Sequence, residues 1–171
     1  MAHVSSFPPI VGRSPRTLIL GTMPGTASLN AQQYYAHPRN AFWGILADLL
    51  GFDAGLDYAA RTRRLVDADI GVWDVLRSCK RPGSLDSRID PASVIANDFD
   101  TFFARHPTIE RVCFNGAAAE TLYRRHVLHT LALETQRQYV RLPSTSPANA
   151  SVPVAEKVRL WRAAVLPDAP T

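Results

Sequence analysis

Cysteine is scarce in this 171-residue chain, which contains only Cys79 and Cys113. The two lie far apart and form no CxxC pair, so the sequence indicates neither a disulfide framework nor a zinc site. His126 and His129 would share a helix face, but no third metal ligand lies near them, and a solvated helix end is the simpler interpretation. We therefore expect a metal-free cytoplasmic protein.

Long apolar runs and the common cofactor motifs are also missing. No segment approaches the length of a membrane span, and the first residues lack the apolar run of a signal peptide. The chain has no Walker A sequence, no GxGxxG and no GxSxG, so neither a nucleotide cofactor nor a serine nucleophile elbow is indicated. We expect a protein that uses no cofactor and does not associate with a membrane.

Lysine is rare as well, since all but Lys80 and Lys157 of the 19 basic residues are arginine. The formal net charge is +4, a mild excess that is compatible with a polyanionic partner. Arginine binds phosphate through two parallel hydrogen bonds, which lysine cannot do. The charge by itself gives only weak support for a nucleic acid partner.

Four short apolar segments alternate with helical patterns along the chain. This alternation predicts a single domain over residues 1–171 with an α/β fold, a three-layer α/β/α sandwich on a four-stranded parallel sheet. Residues 1–16 should form an extended lead-in and residues 77–88 a polar loop. The predicted strands are 17–20, 70–76, 112–114 and 139–142, and the predicted helices are 41–50, 58–66, 91–97, 98–105, 117–128 and 154–165.

Each predicted strand is followed by a loop rich in small polar residues. The first of these loops runs for about twenty residues, which is longer than most connections and more often functional than not. The carboxyl ends of parallel strands meet at one edge of the sheet, where ligands bind in open α/β folds. The sequence therefore predicts a cleft built from all four loops.

Several residues in these loops have two interpretations each. Asn40 precedes a helix and could cap it, but a capping amide is also placed to orient a water molecule. Tyr34 and Tyr35 could both pack, or one ring could stack on a base. Asn115 precedes Gly116 and is first a turn signal, although its amide could also bind a base edge.

Acidic and hydroxyl-bearing residues extend this set. Asp74 lies among apolar residues, where an unpaired carboxylate is costly to bury, so it should face the cleft or meet an arginine. Asp86 is expected to close a turn or to pair with Arg81. The small polar residues after the last strand suit either an ordinary turn or a clamp on DNA phosphates; they are Ser144, Thr145, Ser146 and Asn149.

Five segments, in this order along the chain, resemble the uracil-DNA glycosylase superfamily. They are Gly21–Gly25, Tyr35–Trp43, Gly71–Leu76, Phe114–Gly116 and Leu142–Ser146. The closer likeness is to the hypoxanthine (deoxyinosine) DNA glycosylases, through the segments Trp-Asp-Val-Leu, Gly-Ser-Leu-Asp and Phe-Asn-Gly. The likeness extends from about Leu18 to Trp161.

The resemblance implies a role for each candidate residue. Asn40 would be catalytic, Asn115 would recognise the base, and the ring of Tyr35 would stack on it. Met23 stands where uracil-excising relatives carry Asp or Asn, and it cannot activate water; with Asp74 it completes the expected base-binding group. Ser144 replaces the usual His or Asn of the second motif. The loop expected to contact the DNA backbone and act as a wedge contains Ser144, Ser146, Ala148 and Asn149.

The function that the resemblance implies is monofunctional DNA glycosylase activity, with hypoxanthine as the expected deaminated base. A uracil-directed, mismatch-specific glycosylase and a non-catalytic DNA-damage-binding protein are the alternatives. The partner would be DNA containing a deaminated base, and we expect a monomer. Lys80 is the only lysine in the cleft loops, so Schiff-base lyase chemistry is disfavoured.

Overall fold

The computed structural model describes residues 2–132 and 136–167. Its strands are β1 (His3–Ser5), β2 (Thr17–Gly21), β3 (Ile70–Asp74), β4 (Leu76–Lys80), β5 (Ile95–Ala96), β6 (Arg111–Asn115) and β7 (Gln138–Leu142). Its α-helices are α1 (Thr26–Ala31), α2 (Phe42–Leu50), α3 (Tyr58–Asp67), α4 (Phe99–Arg105), α5 (Ala117–His126) and α6 (Val154–Val165).

The central sheet is parallel, with the strand order β3-β2-β6-β7. Every residue of β2 and β3 is buried, as expected for parallel strands that are covered on both faces. The four predicted parallel strands are therefore present, and the predicted three-layer α/β/α arrangement is confirmed.

Side chains alternate between two apolar cores, one on each face of this sheet. Leu18 and Leu20 of β2 point to one core, which contains Phe99 of α4 and Tyr123 of α5. Ile19 points to the other core, which is formed mainly by α2, α3 and α6. The period of two along a strand thus accounts for both helical layers.

The structure also contains an antiparallel sheet with the strand order β1-β4-β5, and three sequence predictions are wrong because of it. The predicted lead-in contains β1, and the predicted polar loop 77–88 begins with β4. The predicted strand 70–76 ends at Asp74, where the chain turns out of the parallel sheet. These strands pair residues far apart in sequence, such as His3 with Lys80, and local patterns do not predict such pairing.

Other boundaries also differ from the predictions. The predicted helix 91–97 is wrong: Asp90 accepts a hydrogen bond from the Ala92 amide in a short 3₁₀ turn, and β5 follows. The predicted helix 117–128 ends at His126, and the long first loop contains α1. The predicted helix 154–165 is confirmed at both ends, and the helices predicted at 41–50 and 58–66 are confirmed to within one residue.

In the described part of the chain, no helix has the length and apolarity needed to cross a membrane.

Candidate active site

A cavity of about 300 Å³ opens at the carboxyl edge of the parallel sheet. Residues at or after the ends of β2, β3, β6 and β7 line it, together with Ser84, Leu85 and Asp86, so the predicted cleft is present. Every predicted site residue except Asn149 lines the cavity, namely Met23, Tyr35, Asn40, Asp74, Asn115, Ser144, Ser146 and Ala148.

Asp74 ends β3 and faces this cavity with only 3% of its surface exposed. Its Oδ2 atom has no hydrogen-bond partner among the described residues. Burial raises the pKa of Asp74 to about 7; the nearby Asp86 adds to the rise, and Arg81 opposes it. The carboxyl group therefore changes charge near neutral pH.

Tyr35 contributes a second buried polar atom. Its backbone adopts a left-handed conformation, with φ of 55°. Its ring stacks on Phe42, with the ring centroids 4.0 Å apart. The hydroxyl is buried and has no hydrogen-bond partner in the described residues. Burial first, and then the charge of Asp74, raise the pKa of Tyr35 above its usual range, so the hydroxyl keeps its proton.

The neighbouring tyrosine has a structural role. Tyr34 is buried, and its hydroxyl donates a hydrogen bond to the carbonyl of Pro8, 2.9 Å away. The Trp43 indole donates to the Tyr34 carbonyl at 2.9 Å. Tyr34 therefore anchors the first loop to Pro8 and to Trp43 of α2. The hydroxyl of Tyr35, by contrast, has no hydrogen-bond partner among the described residues.

Gly21 lies beneath the Asp74 carboxyl group and the Tyr35 hydroxyl. A Cβ atom at Gly21 would lie 2.6 Å from Asp74 Oδ1 and 2.9 Å from the Tyr35 hydroxyl oxygen. Both distances are shorter than real Cβ contacts, so any side chain here would displace the two polar groups. Only glycine leaves room at this position for both polar groups.

Asn40 forms a hydrogen bond at the start of α2 and also lines the cavity. Its Oδ1 atom accepts a hydrogen bond from the Phe42 amide at 3.0 Å, immediately before α2. The same residue lines the cavity. The next amide, that of Ala41, donates to the Thr145 carbonyl at 3.0 Å and joins this helix start to the loop after β7. The position of Asn40 is therefore fixed from two sides.

Asn115 forms a two-point contact with Thr145. Its Nδ2 atom donates to Thr145 Oγ1 at 3.0 Å, and its Oδ1 atom accepts from the Thr145 amide at 2.9 Å. The contact joins the loops after β6 and β7. Each end of the amide can still form one further hydrogen bond, so a base contact remains compatible with this geometry.

Arg81 is a buried residue whose structural role the sequence did not reveal. Its guanidinium donates to the carbonyls of Gly83 at 2.8 Å and Pro24 at 2.6 Å. The expected ion pair between Arg81 and Asp86 is absent from the described residues, because the guanidinium is occupied by carbonyls. Arg81 instead holds the Gly21–Gly25 loop against the segment that contains Asp86.

Asp86 brings a second carboxyl group to the cavity. The residue as a whole is exposed, but its carboxyl group lies among other cavity groups. Burial raises its pKa, and the Thr22 hydroxyl and Arg81 oppose that rise. Its backbone carbonyl accepts from the Ile89 amide at 3.2 Å, so Asp86 lies in a turn that its main chain closes, whereas the sequence predicted closure by its carboxylate.

Potential metal ligands and lysines do not converge in the part of the chain that the structure describes. No group of three or more His, Cys, Asp or Glu side chains there is placed to hold a metal ion. Neither Lys80 nor Lys157 lines the cavity. Lys157 donates instead to the Asn149 carbonyl at 2.8 Å, and Asn149 Nδ2 donates to the Ser144 carbonyl at 3.2 Å. Asn149 therefore stabilises the loop after β7 without lining the cavity.

Comparison with known proteins assigns the chain to a family. The model of the uracil DNA glycosylase superfamily matches residues 8–165. The chain belongs to this superfamily. A protein named hypoxanthine DNA glycosylase from Methanosarcina barkeri is 37% identical over 111 residues, which are 64% of this chain and 69% of that protein.

Two further relatives cover more of the chain. A protein from Methanosarcina acetivorans, also named hypoxanthine DNA glycosylase, is 33% identical over 144 residues, 84% of this chain and 86% of that protein. The solution NMR structure of a candidate uracil DNA glycosylase from the same organism superposes with a TM-score of 0.74 and 30% identity, covering 94% of this chain and 98% of that chain. These matches confirm the predicted family and fold.

The close approach over Gly21 leads to a prediction. Gly21→Ala should lower the free energy of unfolding by about 1–3 kcal/mol, because the added methyl group overpacks the site. Chemical denaturation measures this loss. Gly44→Ala is the matched control, since a Cβ there meets nothing within 4 Å and the position lies inside α2. Equal stability for the two variants would mean that Asp74 and Tyr35 move aside easily.

Proposed function

We propose that this protein is a DNA glycosylase that hydrolyses the N-glycosidic bond of deoxyinosine and releases hypoxanthine. The observation that carries the proposal is that two residues lining the cavity each have a buried polar atom without a hydrogen-bond partner among the described residues, Asp74 Oδ2 and the Tyr35 hydroxyl. Buried polar atoms without partners are costly, so such a pair indicates that a ligand completes them. Two relatives named hypoxanthine DNA glycosylase support the same substrate.

The edge of hypoxanthine complements these two groups. Hypoxanthine has a carbonyl oxygen beside an N1–H group, whereas adenine has an amino group beside an unprotonated N1. The ionised carboxylate of Asp74 accepts from N1–H, and the Tyr35 hydroxyl donates to the carbonyl oxygen. Adenine would place its unprotonated N1 against the ionised Asp74 carboxylate, at about 1–3 kcal/mol for a buried group left unsatisfied, whereas the Tyr35 hydroxyl can turn to accept from the amino group.

Uracil presents a similar hydrogen-bonding edge, because its N3–H group lies between two carbonyls. Membership of the superfamily therefore does not decide whether the substrate base is hypoxanthine or uracil. The residue that favours hypoxanthine is Met23, which stands where the uracil-excising relatives carry Asp or Asn. Met23 lines the cavity but is buried, and it packs in the core beside Leu20 and Trp73. A thioether cannot orient or activate water, so uracil excision of that kind has no equivalent here.

Catalysis would begin with a flipped nucleotide, since the bond to be broken is not accessible inside a duplex. As the C1′–N9 bond lengthens, positive charge builds on the sugar and negative charge on the base. In the proposal, Asn40 holds the water whose oxygen bonds to C1′, and the electron pair of the broken bond leaves with the base. The proton that this water loses is balanced by the proton that the base takes up, so the products are the abasic sugar and neutral hypoxanthine. The Tyr35 hydroxyl stabilises the charge on the departing base.

The remaining site residues are proposed to contact the rest of the DNA. Asn115, fixed by Thr145, has spare bonding capacity toward the base. The Tyr35 ring stacks on Phe42, so in this proposal the hydroxyl of Tyr35, rather than the face of its ring, contacts the base. Ser144, Ser146 and Ala148 lie at the cavity and would approach the phosphates, with Asn149 behind them. Action as a monomer and a cytoplasmic location stay predictions.

The proposal is tested with labelled duplexes that carry a single deoxyinosine, deoxyuridine or deoxyxanthosine. Alkali cleavage after incubation measures the abasic sites formed. We expect the fastest single-turnover release from the deoxyinosine duplex. Faster release from deoxyuridine would identify a uracil enzyme instead, and binding without release from any duplex would identify a damage-binding protein.

The catalytic role of Asn40 is tested by Asn40→Ala. We expect deoxyinosine cleavage to fall at least about tenfold, because the variant loses the group that positions water. The matched control is Asp57→Ala, which removes a helix cap at a residue that does not line the cavity, where Asp57 accepts from the Ala60 amide at 2.8 Å. Both variants should lose about 1 kcal/mol of stability.

Only the first variant should lose activity per folded molecule. Full activity in folded Asn40→Ala would show that Asn40 stabilises the start of α2 and has no catalytic role.

A further inference from the structure

The proposed hydrolysis needs a side chain that takes up a proton from the attacking water. Asn40 can orient this water, but a neutral amide is not a base. The Asp74 carboxylate is occupied, in the proposal, by the N1–H group of the substrate base. Burial first, and then the charge of Asp74, raise the pKa of Tyr35, so its hydroxyl keeps its own proton. The residues assigned so far therefore leave the proton of the water without an acceptor.

Of the other described side chains that line the cavity, only an imidazole and a carboxylate could act as a base, those of His37 and Asp86. The Nδ1 atom of His37 accepts a hydrogen bond from the Arg39 amide at 3.1 Å. In the neutral imidazole the proton then lies on Nε2, so neither ring nitrogen has a free lone pair. Asp86 is therefore the side chain that remains as a proton acceptor.

The carboxyl group of Asp86 lies beside the Gly21–Gly25 loop. Burial raises its pKa, and the neighbouring Thr22 hydroxyl and Arg81 guanidinium oppose the rise. Thr22 immediately precedes Met23, which stands where the uracil-excising relatives carry Asp or Asn. A carboxyl group from a different segment thus lies next to the position at which the first loop of this chain lacks one.

The segment that contains Asp86 is anchored to this same loop. Ser84 Oγ accepts from the Thr26 amide at 2.8 Å and lies 3.0 Å from the Thr26 hydroxyl. The Arg81 guanidinium donates to the Pro24 carbonyl at 2.6 Å. A general base acts only when it is held within hydrogen-bond reach of the proton that it removes. These contacts fix the backbone from which the Asp86 carboxyl group projects.

Asp74 and Asp86 lie at different depths in the cavity. Asp74 is 3% exposed at the end of β3, whereas Asp86 is an exposed residue. Burial raises the pKa of Asp74 and the charge of Asp86 adds to the rise, so the two carboxyl groups are neighbours. A base that contacts Asp74 would have its sugar nearer the opening, because the flipped nucleotide stays joined to the DNA outside. Asp86 therefore lies on the side of the cavity that the sugar would occupy.

We propose that Asp86 is a catalytic residue, the general base that takes a proton from the water held by Asn40. The oxygen of this water bonds to C1′ while one of its protons passes to an Asp86 carboxylate oxygen. The glycosidic bond breaks, its electron pair leaves with the base, and the base takes up a proton from solvent. Asp86 then releases its proton to solvent, so the products are the abasic sugar and the neutral base. The inference rests on the proposed glycosylase function but not on which base is released.

The test compares single-turnover release from the deoxyinosine duplex with binding to a duplex that contains a tetrahydrofuran abasic-site analogue, measured by fluorescence anisotropy. We expect Asp86→Asn to release hypoxanthine about a hundredfold more slowly, because a positioned general base contributes at least a factor of this order. Its affinity for the analogue duplex should not fall, since the analogue is not hydrolysed. Asp86→Ala should lose as much rate as Asp86→Asn, because neither side chain accepts a proton.

The matched control is Asp90→Asn, which changes another carboxylate in the connection between β4 and β5. Asp90 does not line the cavity, and it accepts from the Ala92 amide at 3.1 Å, a hydrogen bond that asparagine also forms. This variant should change neither the release rate nor the affinity. Melting temperatures confirm that all variants are folded.

A loss of less than about tenfold in Asp86→Asn would overturn the general base, and so would a loss of rate matched by an equal loss of affinity. Absence of release by the unmodified protein would instead refute the proposed glycosylase function. If the unmodified protein releases uracil faster than hypoxanthine, the same loss is expected on the deoxyuridine duplex. The base preference and the role of Asp86 can therefore fail separately.

Discussion

The packing of the Asp74 carboxyl group and the Tyr35 hydroxyl against Gly21 is the constraint on which the rest of the site depends. The register of the parallel sheet pairs Gly21 with Asp74 at the ends of β2 and β3. The left-handed backbone of Tyr35 brings its hydroxyl to the same place. Both polar atoms are buried without hydrogen-bond partners among the described residues, and the proposed base would complete them.

Maintaining this arrangement requires rigid loops, and polar side chains supply the rigidity. Arg81 fixes the first loop through backbone carbonyls, and the contact of Asn115 with Thr145 joins the loops after β6 and β7. Lys157 supports the last loop through Asn149. A site preorganised in this way loses little free energy to reorganisation when a flipped base enters. Its specificity therefore depends on which hydrogen bonds the base completes.

The sequence predicted the parallel sheet, its covering helices and the meeting of four loops, because apolar periodicity and strand order determine these features. It did not predict β1 and β5, whose short strands are stabilised by pairing with β4 far away in sequence. At the site, residue type and position predicted that Asp74 and Asn40 lie at the cleft, and both line the cavity. The role of Arg81 and the partner of Asn115 depend on contacts between distant loops, which a single sequence does not reveal.

The central claim is that Asp74 selects hypoxanthine over adenine by accepting a hydrogen bond. The most direct test is the ratio of single-turnover release rates for hypoxanthine and adenine in Asp74→Asn, compared with the unmodified protein. Asparagine has the same shape, but its amide can donate to the unprotonated N1 of adenine. We expect this ratio to fall by at least about tenfold, in line with one repaired buried hydrogen bond. An unchanged ratio, with both rates lowered equally, would contradict the account.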